Sequence, residues 1–292
     1  MVENILSSFL LETGRVEKSL LSKLMKEQDE TRVKLGLIAV SEGMMTLDQT
    51  NEVNILQSAM DQRFGDIAVA KGYLTDEQVG YLLKKQGDPY LTFVQTLIDN
   101  DVIKMDELDA VIEEFRVKNG FTEEQIADFK SGDVNKIVPL FLTEETEKYS
   151  AIVGTIVRTL IRLVNRNTYI GKAEIIDTYP EKDQVSQGLI WEEGVIDAFS
   201  EGDGGLLDLC SIFAHEEFET LDEDSLDAAG ELLNCANGLY VSSLSRRGVF
   251  LEIMPPIYGK LPDDMKVSSI CRIPVYFADK KLYYTVAEVK QL

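Results

Sequence analysis

Histidine is almost absent from this chain: His215 is the only one in 292 residues. A multi-histidine zinc site and a histidine dyad are therefore excluded. His215 sits in FAHEEF, which is not the HExxH of zinc proteases and has no nucleophile signature beside it. Cysteine is scarce too. Cys210, Cys235 and Cys271 are odd in number and share no CxxC spacing, so they read as buried thiols of a reducing compartment. Positive charge is the third shortage, 29 Lys and Arg against 51 Asp and Glu, for a net charge of −22. Such a field repels phosphate backbones and anionic lipid, so neither nucleic acid nor a membrane surface is an expected partner. No apolar run approaches the roughly 20 residues of a membrane span, and MVENILSSFLLE lacks the charged start and cleavage site of a signal peptide. A soluble, cytoplasmic protein is expected. Phosphate-binding loops are missing as well. EGDGG at 201–205 fits neither GxxxxGK[ST] nor GxGxxG and reads as a turn before a helix. No EF-hand loop occurs, and with so many acids a carboxylate-only Mg²⁺ or Ca²⁺ site stays open.

What is present is periodicity. With 45% hydrophobic residues and a length sufficient for two cores, the first 115 residues carry a repeat of 29 residues. Lys34–Gln57 and Arg63–Gln86 share Gly36 and Gly65, Gly43 and Gly72, Thr46 and Thr75, Gln57 and Gln86, and identical IAV triplets. The frame extends back over Ile5–Gln28 and forward over Thr92–Phe115. Each unit predicts a short helix, a Gly or Asn turn, an N-cap and a second helix. Such hairpins must pack on their neighbours to bury their apolar faces. NGFTEEQIADF at 119–129 reads as a terminal unit. SGDVNKIVP at 131–139 is the expected boundary between a repeat domain, 1–130, and a second domain, 136–292.

The second half centres on DAAGELLNCANG, 227–238, within a helical run from Ser225 to about Arg247. At 3.6 residues per turn, Asp227, Glu231, Asn234 and Gly238 share one stripe. Leu226, Ala229, Leu233, Ala236 and Tyr240 fall on the opposite side and form a face for burial. A carboxylate can hold a lysine ammonium; a carboxamide, donor and acceptor at once, can hold and aim a water. In phosphoryl hydrolysis most of the protein's work is such positioning, as a glutamine does in small GTPases. On spacing alone, two polar residues on a solvated helix face are usually only that.

The stretch resembles the signature of the CheC/CheX/FliY family of chemotaxis phosphatases: Asp or Ser, three residues, Glu, two residues, Asn, and a proline some twenty residues later. Asp227, Glu231 and Asn234 match it. Pro255 and Pro256 arrive one or two positions early, which calls for a shorter connection. The resemblance implies hydrolysis of the aspartyl-phosphate of a CheY-like response regulator, with Glu231 pairing with the regulator's lysine and Asn234 orienting the attacking water. It gives Asp227 and Gly238 a place in partner binding. No cofactor of the protein's own is implied, since the regulator brings Mg²⁺. A preceding helix, about 144–165, carries Thr155 and Arg158 where some members have a second Glu-x-x-Asn, so one active stripe is expected, as in the CheX branch.

The two central repeats resemble the tandem 24-residue motifs of MshEN-type cyclic di-GMP domains, with 58–62 as the five-residue spacer. That resemblance implies ligand contacts from Arg63, Gly65, Gly72 and Gln86. The other copy departs from the pattern with Lys34 for arginine and with Thr50 and Asn54 for leucines. An arginine can stack on guanine, and glycines let backbone approach phosphate.

Strands are expected at Tyr169–Ile176, Gln187–Trp191, Val195–Phe199, Val249–Met254, Lys266–Phe277 and Lys281–Val289, with a helix at Leu206–Phe218 and a turn at Asp279–Lys281. Pro274 favours an edge position or a bulge. The fold class is α+β: an all-helical repeat domain, then a CheX-like domain with an antiparallel sheet and packed long helices. The alternative function is a non-catalytic signalling adaptor that senses cyclic di-GMP or docks a protein through its repeats. Whether a second copy pairs through an edge strand is not fixed by the sequence.

Overall fold

The structure is a computed structural model and describes every residue except 29–30, 61, 191–192, 278 and 291–292. Trp191, the end of one expected strand, and Asp61 of the repeat spacer therefore lie outside the described residues. Two compact units divide the chain, chiefly Leu6–Gly132 and Asp133–Leu292. None of the described helices is long and apolar enough to cross a membrane.

The first part of the chain is all helical: α1 (Val2–Glu12), α2 (Lys18–Glu27), α3 (Leu35–Ser41), α4 (Leu47–Ala59), α5 (Phe64–Ala70), α6 (Asp76–Lys84), α7 (Pro89–Asp99), α8 (Leu108–Asn119) and α9 (Glu123–Lys130). The 29-residue period is written into the backbone. Gly14, Gly43, Gly72 and Asp101 all take positive φ, between 56° and 73°. The residue after each donates its N–H back across the helix end: Arg15 to Leu10, Met44 to Ala39, Tyr73 to Ala68 and Val102 to Leu97, at 2.8–2.9 Å. That bond satisfies a carbonyl the ending helix would leave bare. Three residues after the central glycines, Thr46 and Thr75 start the next helix with capping boxes to Gln49 and Gln78, and Thr122 does the same with Gln125. Phe115 gathers the aromatic core of this unit, with Phe9 at 5.3 Å and Phe129 at 4.8 Å between ring centroids.

The second unit opens with α10 (Val134–Leu140) and α11 (Ser150–Leu163). An eight-stranded antiparallel sheet then forms from β1 (Tyr169–Ile170), β2 (Glu174–Ile175), β3 (Gln184–Ile190), β4 (Glu193–Asp203), β5 (Glu252–Ile253), β6 (Ile257–Tyr258), β7 (Lys266–Phe277) and β8 (Lys280–Lys290). Helices α12 (Gly205–Ala214) and α13 (Glu223–Ser245) lie between β4 and β5 in sequence. The sheet runs β1-β7-β8-β4-β3-β5, with β2 also on β7 and β6 also on β3. All seven residues of β3 are buried, because both faces of the sheet are covered. One face meets α12 and α13, and α11 packs on α13. On the other, Ile190, Ile196, Ala198, Ala287 and Val289 form a cluster under connecting segments that include Ile176, Met254 and Leu261.

Three local expectations need correction. The strand expected at 169–176 is two two-residue strands. Pro274 lies opposite the break between them and accepts a bond from Gly171 N–H at 2.9 Å, so its missing donor faces the interruption. The 201–205 glycine run is not all turn. Strand β4 continues through Asp203 with a bulge, and Gly202 and Gly205 lie where a Cβ would come 2.5 and 2.3 Å from Lys281 O. Only Gly204, at φ 70°, turns. The Glu201 carboxylate accepts from the N–H groups of Gly202, Gly204 and Leu206, at 2.9, 2.5 and 3.2 Å, and so occupies the start of α12 with the chain's own anion. Finally, Cys210 and Cys271 are buried but Cys235 is exposed.

In the repeats, Gly36 has no room for a side chain: a Cβ there would meet Thr50 Cγ2 at 2.5 Å. Gly36→Ala should therefore lower urea-unfolding stability by about 1–3 kcal/mol despite alanine's better helix propensity. Adding Thr50→Ala, which removes the opposing methyl, should restore most of the loss.

Candidate functional site

Helix α13 is specified at both ends and along one face. Asp222 caps it by accepting from Ser225 N–H at 3.1 Å while Ser225 Oγ accepts from Asp222 N–H at 2.9 Å. The bond from the Ser225 backbone N–H, more than any other influence, holds the Asp222 carboxyl below its ordinary range. Glu223 and Asp224 sit in the first turn, where the helix dipole favours acids. Gly248, at φ 81°, follows the helix end. Ala229, Leu232, Leu233 and Ala236 are buried, each leucine contributing about 2 kcal/mol.

On the opposite side, Asp227, Glu231 and Asn234 are exposed and Gly238 is half-buried. The three polar residues of the expected stripe thus come together on one open surface. Glu231 has no ion-pair partner among the described residues. Gly238 has open space where a Cβ would stand, so nothing within the chain demands a glycine there. Asp227 is not free: Tyr258 donates its hydroxyl to Asp227 Oδ1 at 2.9 Å. Burial first, then that bond and the nearby charges of Asp227, Glu231 and Glu223, push the Tyr258 phenol up to about 12. Gly230 lets this segment approach. A Cβ there would stand 3.3 Å from the Tyr258 hydroxyl and 3.5 Å from Pro256 Cβ.

Beneath the stripe lies a polar row that sequence reasoning missed. Gln187 on β3 pairs with Asp197 on β4, and Asp197 pairs with Val286 on β8. Tyr284, two residues from Val286, therefore shares their face. Gln187 Nε2 donates to Asn234 Oδ1 at 3.2 Å and to Met254 O at 3.0 Å. Asn237 Nδ2 donates to Gln187 Oε1 at 3.0 Å and to Asp197 Oδ1 at 2.9 Å. Tyr284 donates to Asp197 Oδ2 at 2.8 Å. Burial raises the Asp197 carboxyl to about 7, against the lowering effect of its Asn237 and Tyr284 bonds. Period-2 alternation does place Gln187 and Asp197 on one strand face each. Nothing in the linear sequence couples them to α13, 40–50 residues on.

In the repeats, a cavity of about 720 Å³ is lined by Lys34, Asn54, Gln57, Arg63, Gln86 and Gln95, with apolar residues between them. It joins the opening and closing residues of both central copies. Arg63 is paired with Asp66 at 2.9 Å and Lys34 with Asp99 at 2.7 Å. Gln86 Nε2 donates to Val33 O at 2.7 Å. Of the four residues expected to contact a ligand, Arg63 and Gln86 line this cavity. Gly65 is buried against Val79, whose Cγ1 would lie 2.9 Å from a Cβ, and Gly72 stands at a turn with φ 73°. Neither lines the cavity. Within the chain Gly65 serves helix packing and Gly72 chain reversal.

No family model and no curated protein sequence matches the chain. Solved structures similar to its C-terminal half are chemotaxis proteins of the CheC, CheX and FliY type. A CheC-like superfamily protein from Shewanella sp. PV-4 is 18% identical with a TM-score of 0.40, over 50% of this chain and 98% of that one. A chain of the CheX–CheY–BeF3–Mg²⁺ complex from Borrelia burgdorferi is 18% identical with a TM-score of 0.40, over 48% and 96%. Thermotoga maritima FliY is 19% identical with a TM-score of 0.35, over 49% and 90%.

Asp197 gives the site a pH signature. Its folded value of about 7 lies above the ordinary carboxylate value near 3.9. Between those limits the folded chain holds a proton that the unfolded chain has released, so stability falls as pH rises. The contribution is complete below about pH 4 and gone above about pH 7. Urea unfolding between about pH 5 and about pH 8 should show this loss, on the order of a few kcal/mol, when the wild type is compared with Asp197→Asn. The variant lacks that component.

Proposed function

We propose that the second unit is a phosphatase acting on the aspartyl-phosphate of a CheY-like response regulator. The observation that carries this reading is the pairing on α13 of an exposed Glu231, without an ion-pair partner among the described residues, with an exposed Asn234 one turn on, held from below by Gln187. Glu231 supplies a carboxylate for a lysine on the regulator. Asn234 supplies a carboxamide for the attacking water. That water's oxygen forms the new bond to phosphorus, the bond from phosphorus to the aspartate oxygen breaks, and inorganic phosphate and a free carboxylate result. The regulator's own Mg²⁺ offsets charge on the phosphoryl oxygens, and the work left to this chain is positioning. Asp227, already holding Tyr258, fixes the connection after α13 and leaves one carboxylate oxygen outward. The partner class is the one named in the Borrelia complex. The test is the decay of phosphate on a CheY-type regulator loaded with acetyl phosphate. Wild-type chain should accelerate it, and Glu231→Ala and Asn234→Ala should each reduce the acceleration by about 100-fold. Decay unchanged by the wild type, with binding still detected, would leave a non-catalytic adaptor.

The repeat cavity favours a second role beside the first, nucleotide sensing. Its volume admits a ligand of cyclic di-GMP size. Arg63 and Lys34 flank it, with Gln57 and Gln86 between. Calorimetric titration with cyclic di-GMP should give saturable binding that Arg63→Ala and Gln86→Ala each weaken by about tenfold or more. Absence of heat with the wild type would reduce the array to a structural or docking element.

A further inference from the structure

The direction of every amide in the row under α13 can be deduced from one backbone atom. Met254 O is a carbonyl and only accepts. The group facing it on Gln187 must therefore be Nε2, as the 3.0 Å contact has it. With Nε2 turned that way, Gln187 Oε1 points to Asn237 and requires a donor. Asn237 Nδ2 meets that need and spends its second proton on Asp197. The remaining Nε2 proton of Gln187 points to Asn234 and requires an acceptor, which fixes Oδ1 inward and Nδ2 outward. Reversing any one amide would set donor against donor or acceptor against acceptor in a site where Gln187 is 1% and Asn237 0% exposed. Met254 itself is held: its N–H donates to Gly188 O at 2.8 Å, and Pro255 confines it to extended backbone.

We propose that Gln187 is a positioning residue for the phosphatase site, locking the Asn234 carboxamide with its nitrogen toward the partner; the proposal rests on the phosphatase reading. The lock defines what Asn234 can offer. Both Nδ2 protons face outward, where they suit a phosphoryl oxygen. One of the two Oδ1 lone pairs is taken by Gln187, so one remains to accept a single proton from the attacking water. A water held by one proton keeps a lone pair for phosphorus. An unlocked asparagine would present oxygen and nitrogen in turn and hold that water only part of the time.

The test uses the full chain labelled with ¹⁵N-asparagine, and it has two readouts. The side-chain amide signal of Asn234, identified by its loss in Asn234→Ala, should show the heteronuclear NOE of an ordered group. In Gln187→Met, which keeps the volume and removes the amide, it should fall to the level of a freely exposed asparagine. In the dephosphorylation assay Gln187→Met should lower kcat about 10- to 100-fold, with KM within about twofold, because Glu231 and the docking surface are untouched. A purely structural role would move both constants, or the urea midpoint, without this split. An Asn234 signal already mobile in the wild type overturns the proposal, and needs no variant to fold. So does an unchanged kcat in Gln187→Met. A wild type with no phosphatase activity but an ordered Asn234 signal lost in Gln187→Met overturns the phosphatase reading and leaves the lock standing.

Discussion

A carboxyl group at 0% exposure beneath a helix is the constraint on which the second unit depends. Left unpaired in an apolar core, Asp197 would cost several kcal/mol. Its two partners come from opposite directions, Tyr284 from the neighbouring strand and Asn237 from α13. A helix turned by one residue rotates about 100°, which would carry Asn237 away and bring Gly238 or Ala236 in its place. The buried polar row thus sets the rotation of α13 about its axis, which apolar packing alone would fix less sharply. Rotation in turn decides which residues face outward. Glu231 and Asn234 are presented because Asn237 is anchored.

The repeat unit solves a different problem by different means. Its helices are short, between 7 and 13 residues in the two central copies, and helices of that length are marginal by themselves. In each central copy the first helix is closed by a left-handed glycine and the second is opened by a threonine cap three residues later, so the joint between them leaves few backbone groups without partners. Where the fourth copy has Asp101 in place of glycine, the left-handed turn is kept at φ 56°. Only a few residue types tolerate that conformation. The geometry has been held through a change of residue.

Much of this was legible in the sequence, for identifiable reasons. The exposed stripe of α13 followed from apolar spacing within one helix, and the helix–turn–cap order followed from residues a few positions apart. Local physics sufficed there. Gln187, Asp197, Asn237 and Tyr258 were not singled out, because each acquires its role from a partner 31 to 50 residues away. The chain does not show strand pairing until it has folded. Gly65 and Gly72 illustrate the converse. A glycine in a motif is equally suited to approaching a ligand, packing a helix or reversing a chain; the packing of Gly65 on Val79 and the φ of 73° at Gly72 appear only in the folded chain. Cys235 is exposed, against the expectation from its residue type, because it follows Asn234 on a helix whose buried face turns away at that residue.

The interruption opposite Pro274 bears on how another chain could extend this sheet. A sheet's last strand is a template, and an uncovered row of backbone donors and acceptors invites another chain to continue the ladder. At one margin of this sheet β1 and β2 offer two residues each and the imino acid behind the gap contributes no donor. At the other, β5 and β6 are equally brief and are separated by Pro255 and Pro256. An incoming strand would find its ladder broken after two rungs on either side. The long central strands, whose runs of Val, Ile and Tyr would otherwise be prone to aggregation, are kept away from any growing end.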